Sequence, residues 1–123
     1  MPLLAFSGKK PKIHKSAYIA KSAVIIGDAR ARVTVGHNAI LHGCIISNNV
    51  IVGMHSTVLT AEIGEYCIVG AGAVVLDGVK VPEGTLVVGV PAEEAKKLGD
   101  KERKRIEGNA LAYVKLIEYY KSS

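Results

Sequence analysis

The sequence predicts a mainly β protein, a parallel β-helix of hexapeptide repeats followed by a C-terminal α-helix, and three observations carry that prediction. Aliphatic residues recur at steps of six from Ile13 to Ile25, and at steps of six, sometimes five, from Val35 to Val87. Small residues follow them four positions later, and glycine often follows them directly. After Pro91 the hydrophobic period changes to that of an amphipathic helix.

The aliphatic column runs Ile13, Ile19, Ile25, Val35, Leu41, Ile46, Val52, Val58, Ile63, Val69, Val75, Val81 and Val87, without exception Ile, Val or Leu. In a hexapeptide solenoid such a residue points inward, and three hexapeptides close one triangular rung. The second column, Ala17, Ala23, Ala39, Val50, Ser56, Cys67, Ala73, Val79 and Thr85, is mostly small, as inward corner positions require. Gly36, Gly53, Gly64 and Gly70 suit the turns. Residues 13–90 supply about four rungs, near the lower limit at which stacked repeats bury a continuous core, so association with other copies is expected. The whole chain, 1–123, is expected to be a single domain.

The helix is expected over residues 100–120, where Ile106, Ala110, Tyr113, Val114 and Ile117 form one apolar stripe. Asp100 is the expected N-cap and Gly108 the weak point. The stripe is expected to pack along the β-helix of its own or a neighbouring subunit.

Composition narrows the function classes. Hydrophobic residues make up 49% of the 123 residues, with mean hydropathy +0.26, yet no apolar stretch approaches the roughly 18 residues of a membrane span. The start, MPLLAFSGKK, has only the short apolar run 3–6 with no basic residue before it; it fails as a secretory signal, so a cytoplasmic location is expected. Cys44 and Cys67 suggest neither a disulfide scaffold nor a zinc finger. The net charge of +5 is concentrated in KKLGDKERKR, residues 96–105, whose lack of interleaved aromatics reads as a solvated helix face and not as a nucleic-acid surface. Gly70, Gly72 and Gly78 have the spacing of repeat turns, not of a phosphate loop.

The residues with chemistry to offer are in VGHNAILHGC, residues 35–44. His37 and His42 are five apart, a spacing that diverges by roughly 140° on a helix and onto opposite faces of a flat strand. In the repeat they lie on consecutive faces of the triangle, separated by a corner. Two chains side by side can bring His42 of one to His37 of the other, and a homotrimer would carry three such sites.

The segments IHKSAYIAKSAVIIGDA, VTVGHNAILHGC, VGMHSTVL, IVGAGAVVLDG and GVPA resemble the γ-class carbonic anhydrases, including archaeal members labelled ferripyochelin-binding proteins. The resemblance covers nearly the whole chain. It implies a homotrimer of left-handed β-helices with Zn²⁺, or Fe²⁺ in some members, held at each interface by three histidines from two subunits, and CO2/bicarbonate as substrate through a zinc-hydroxide mechanism. His37 and His42 match two of the ligands. The third belongs to a segment one rung before the second histidine that also carries an Arg-Gly-Asp stretch and a Gln. Here only Ala29-Arg30-Ala31-Arg32 separates IIGD from VTV, so the chain reads as shortened by an internal deletion, with Ile26 where a histidine is wanted.

His55, 18 residues past His37, is the remaining candidate third ligand, whereas His14 lies far down the helix. Cys67 reads as core filling; Cys44 reads as a corner residue beside His42 that could assist a metal. Two histidines fall short of the three protein ligands of a hydrolytic zinc site, so weak or lost CO2 hydration is expected. Two alternatives stand: a hexapeptide-repeat acyltransferase using His37 or His42 as general base on a coenzyme A thioester, and a non-catalytic structural or assembly subunit.

Overall fold

Six-residue repeats leave only two or three extended residues between corners, so the strands are short. The computed structural model describes residues 12–122. It contains β1 (Tyr18–Ile19), β2 (Val24–Ala29), β3 (Thr34–Val35), β4 (Ile40–Ile46), β5 (Ile51–Val52), β6 (Thr57–Val58), β7 (Glu62–Ile63), β8 (Ile68–Val69), β9 (Val74–Val75), β10 (Lys80–Val81), β11 (Thr85–Val88), β12 (Glu93–Lys97) and α1 (Asp100–Ser122). One parallel sheet runs β1-β3-β5-β8-β11, with β12 added antiparallel at its end. The other runs β10-β7-β4-β6-β9, with β2 also paired to β4. The result is a β-solenoid of about four turns with a C-terminal helix.

The aliphatic column becomes three vertical stacks. Ile19, Val35, Val52, Val69 and Val87 pair in sequence on one face. Ile25, Leu41, Val58 and Val75 do so on the next, and Ile46, Ile63 and Val81 on the third. Val35, Leu41, Ile46, Val58 and Val69 are all fully buried. The small column is buried with them, Val79 only partly. Ser56 satisfies its hydroxyl by donating to the Gly53 carbonyl at 2.7 Å, and Cys67 contacts the Pro82 carbonyl at 3.1 Å. No buried side-chain polar atom among the described residues lacks a partner.

Arg30, Ala31 and Arg32 carry the chain from β2 to β3 without breaking the stack: Ala29 pairs with Ile46, and Thr34 with Tyr18. Arg32 takes the turn at φ 56°, and its Nε donates to Asn49 Oδ1 at 2.7 Å one rung above. A shortened segment is therefore accommodated with the register intact.

Two local expectations are corrected. Cys44 does not stand beside His42 on the outer face where it could assist a metal: the β2–β4 register shifts between Ile26 and Gly27, Gly43 turns at φ 83°, and Cys44 is aimed into the core, 1% exposed. The helix cap is Gly99, not Asp100. The Gly99 carbonyl accepts from Arg103 N–H at 3.1 Å, and the Gly99 N–H donates to the Glu102 carboxylate at 2.9 Å, so Asp100 is the first helical residue.

α1 lies along its own solenoid beside β1 and β3, burying Ile106 and Ala110. Tyr66 donates its hydroxyl to Glu107, and the Arg103 guanidinium sits 4.9 Å from the Tyr66 ring centroid while pairing with Glu83 at 3.3 Å. The side chains of Tyr113, Val114 and Ile117, and the N-terminal run 3–6, lie outside the described residues. Among those described, no helix is long and apolar enough to cross a membrane.

The cap carries a pH dependence. Backbone N–H groups of Glu102 and Gly99, then Lys96, hold the Glu102 carboxyl below the usual carboxylate range. Its folded pKa is lower than its unfolded one, so the cap's contribution is full above the unfolded value and is lost as pH falls through the folded value. Amide protection factors in the first turn of α1, taken relative to the intrinsic exchange rate at each pH, are expected to fall on acidification in the native chain, and Glu102→Ala to remove that dependence.

Candidate metal centre

His42 is held by β4, where its Cα partner one rung below is Ile26. His37 follows β3 and Gly36 at the end of one face, and Asn38, at φ 58°, turns the chain toward β4. Consecutive faces separated by a corner is the placement the repeat predicts. His55 occupies the equivalent corner one rung above Asn38, at φ 60°, and its N–H donates to the His37 carbonyl at 2.9 Å. All three histidines are exposed. His14 is at the lowest described rung, its Nδ1 2.8 Å from Ser16 Oγ, remote from the others.

The surroundings of His42 are apolar. Ile40 in the same strand is 41% exposed, and Leu76 higher on the face is 45% exposed. Met54, which motif reading passed over, stands one rung above His37. A Cβ on Gly36 would lie 2.9 Å from the Met54 backbone nitrogen and 3.1 Å from Met54 Cγ, so the backbone of the rung above requires glycine here and the methionine side chain lies close over it. The visible signal is the repeat itself: Gly-His-Asn at 36–38 is followed 17 residues later by Gly-Met-His at 53–55.

The donor set does not fit a three-ligand zinc centre. Among the described residues, no three His, Cys, Asp or Glu side chains of one chain converge. Cys44 and Cys67 are buried in the core, and burial pushes the Cys67 thiol up, away from the thiolate a metal requires. One rung below His42 the register supplies isoleucine.

No protein-family model matches the chain. A Methanocaldococcus jannaschii protein provisionally assigned as a carbonic anhydrase is 48% identical over 99 residues, covering 80% of this chain and 60% of that protein. The crystal structure of a Bacillus cereus protein provisionally described as an acetyltransferase superposes with TM-score 0.75 and 32% identity, covering 98% of this chain and 97% of that one. This chain belongs to the γ-carbonic-anhydrase-like hexapeptide-repeat family. It spans only 34–60% of the length of the curated γ carbonic anhydrases it matches. A further relative, carnitine operon protein CaiE of Escherichia coli, aligns over 148 positions at 29% identity, covering 83% of this chain and 76% of CaiE. That alignment is longer than the part of the chain it takes in, so CaiE carries residues for which this chain has no counterpart.

Proposed function

We propose that this protein is a γ-carbonic-anhydrase-like homotrimer in which His37 of one protomer faces His42 of the next, with His55 one rung above, and whose CO2 hydration is weak or lost. The observation that carries the reading is the Ile26–His42 register, which puts isoleucine one rung below His42 where a third imidazole would be wanted. The apolar, exposed surroundings of His42 favour coverage by another chain. With two histidines, Zn²⁺ or Fe²⁺ is held loosely.

The likeness to the Bacillus cereus structure favours a second reading, acyl transfer from coenzyme A. Elemental analysis of the purified oligomer before and after zinc loading, with a CO2-hydration assay and a coenzyme A titration, decides between them. The expected result is well under one retained zinc per chain after dialysis, slow hydration and no coenzyme A binding. About one tightly held zinc per chain with brisk hydration would overturn the proposal by requiring a third ligand, His55 first. Saturable coenzyme A binding would favour the transferase.

A further inference from the structure

We propose that the hollow beside the shortened turn between β2 and β3 binds an organic phosphate, with the phosphate on Arg30, His14 and Lys12 and the organic body against Ile13 and Ala31. All five residues line one open cavity of about 830 Å³. Small-ligand sites occupy about 300–1,000 Å³, so the hollow has room for more than a bare ion. The backbone brings the three basic residues together. Ile13 and Ala29 form a parallel bridge, Ala29 N–H donates to the Lys12 carbonyl at 3.0 Å, and His14 N–H donates to the Ala29 carbonyl at 2.9 Å. Ile13 and Ala29 pack into the core, so their neighbours Lys12, His14 and Arg30 are left on the outer side, and all three are exposed. Paired strands lie about 4.8 Å apart, which puts His14 and Arg30 side by side.

The polar side chains of the wall have donors to offer. Ser16 N–H donates to His14 Nδ1 at 3.1 Å, which fixes that nitrogen as an acceptor and leaves Nε2 to carry the ring proton. Asn48, also on the wall, accepts from Ala31 N–H through Oδ1 at 3.0 Å and gives one amide hydrogen to Glu65 at 3.3 Å, so its second amide hydrogen is left over. The two arginines of the turn differ. Arg32 is tied to Asn49, whereas the Arg30 side chain makes no hydrogen bond or ion pair among the described residues. Arg30 also borders a smaller hollow that contains Glu62, and the two form no ion pair. A guanidinium, an ammonium and two N–H donors, with no carboxylate among the described side chains of the wall, suit the oxygens of a phosphate. The site is at a different corner of the triangle from His37, His42 and His55 and shares no residue with the proposed interface centre, so the two readings fail separately.

The test is a calorimetric titration of the full chain, purified in phosphate-free buffer, with phenyl phosphate, inorganic phosphate and phenol. Phenyl phosphate is expected to saturate about one site per chain, inorganic phosphate to bind the same site about tenfold more weakly for want of an apolar body, and phenol not to bind. Arg30→Gln and His14→Gln are each expected to weaken phenyl phosphate by about tenfold or more, the loss of a hydrogen bond to a charged group. Lys101→Gln removes a positive charge from α1 instead and is expected to change nothing. Arg30 is exposed, so Arg30→Gln is expected to keep the wild-type thermal midpoint, and its lost binding then reports a lost contact and not a lost fold. The proposal is overturned if no probe saturates by about 10 mM, if Arg30→Gln binds as the wild type does, or if Lys101→Gln loses as much as Arg30→Gln, which would make the binding a matter of net charge. Equal affinity for inorganic and phenyl phosphate would overturn the organic body and leave a site for the free ion.

Discussion

If the proposed interface centre is right, replacing Ile26 with histidine is expected to give a chain that retains about one zinc ion per protomer, with CO2 hydration rising in step. Paired positions of a parallel ladder lie about 4.8 Å apart and on the same face. Ile26 is the ladder partner of His42, so the new imidazole would be added one rung below the proposed ligand His42. Outer-shell partners alone change metal affinity by about 10–100-fold, so a restored ligand is expected to give a gain of at least about a hundredfold. A competition titration with a zinc-selective dye measures it on the assembled protein. Unchanged zinc affinity in Ile26→His would show that the third ligand position lies elsewhere, and the proposed interface would have to be redrawn. Hydration recovering less than affinity would be understandable, because the Gln of the family's longer segment is also missing.

Leu41→Ala is expected to cost the solenoid about 2–5 kcal/mol, the range for deleting a large aliphatic side chain where the surroundings relax only partly. Leu41 is fully buried and stacked between Ile25 and Val58. Each rung of a solenoid packs only against its neighbours, so the void lies in the middle of the stack with no distant element to collapse into it. Such a loss is a large share of a total stability of about 5–15 kcal/mol. Urea unfolding at fixed chain concentration measures it, since association adds to apparent stability. A cost below about 1 kcal/mol would mean that the rungs slide to fill the gap, contrary to the fixed registers seen on all three faces.

The repeat made the fold legible because its signal is redundant: the anchor positions and the small column recur rung after rung, and any one of them could be lost without hiding the period. The substitution at Ile26 was legible for the same reason, since stacking turns sequence distance into vertical neighbours. Features that depend on a single backbone event were not. Cys44 faces inward through a register shift and one glycine turn, and the cap moved to Gly99 because a backbone N–H, invisible to residue type, bonds Glu102. β12 escaped altogether. Its sequence, EEAKK, is exposed throughout and has no apolar alternation, and it is a strand because the edge of β11 offers hydrogen bonds. Met54 was passed over because a methionine among aliphatic residues reads as core, and only its exposure separates it from them.

β12 also bears on what this solenoid does not become. The last rung of a parallel β-helix displays unpaired N–H and C=O groups in the geometry that could receive the first rung of another molecule, and head-to-tail contacts that never close grow into fibres. On the face of β11 that invitation is withdrawn: the next strand runs in the opposite direction and presents Glu93, Glu94, Lys96 and Lys97 to water. An incoming rung would meet the wrong polarity and a row of charges. Five residues with no part in the core thus act as an end-stop, keeping a stack that could in principle lengthen without limit at its own height.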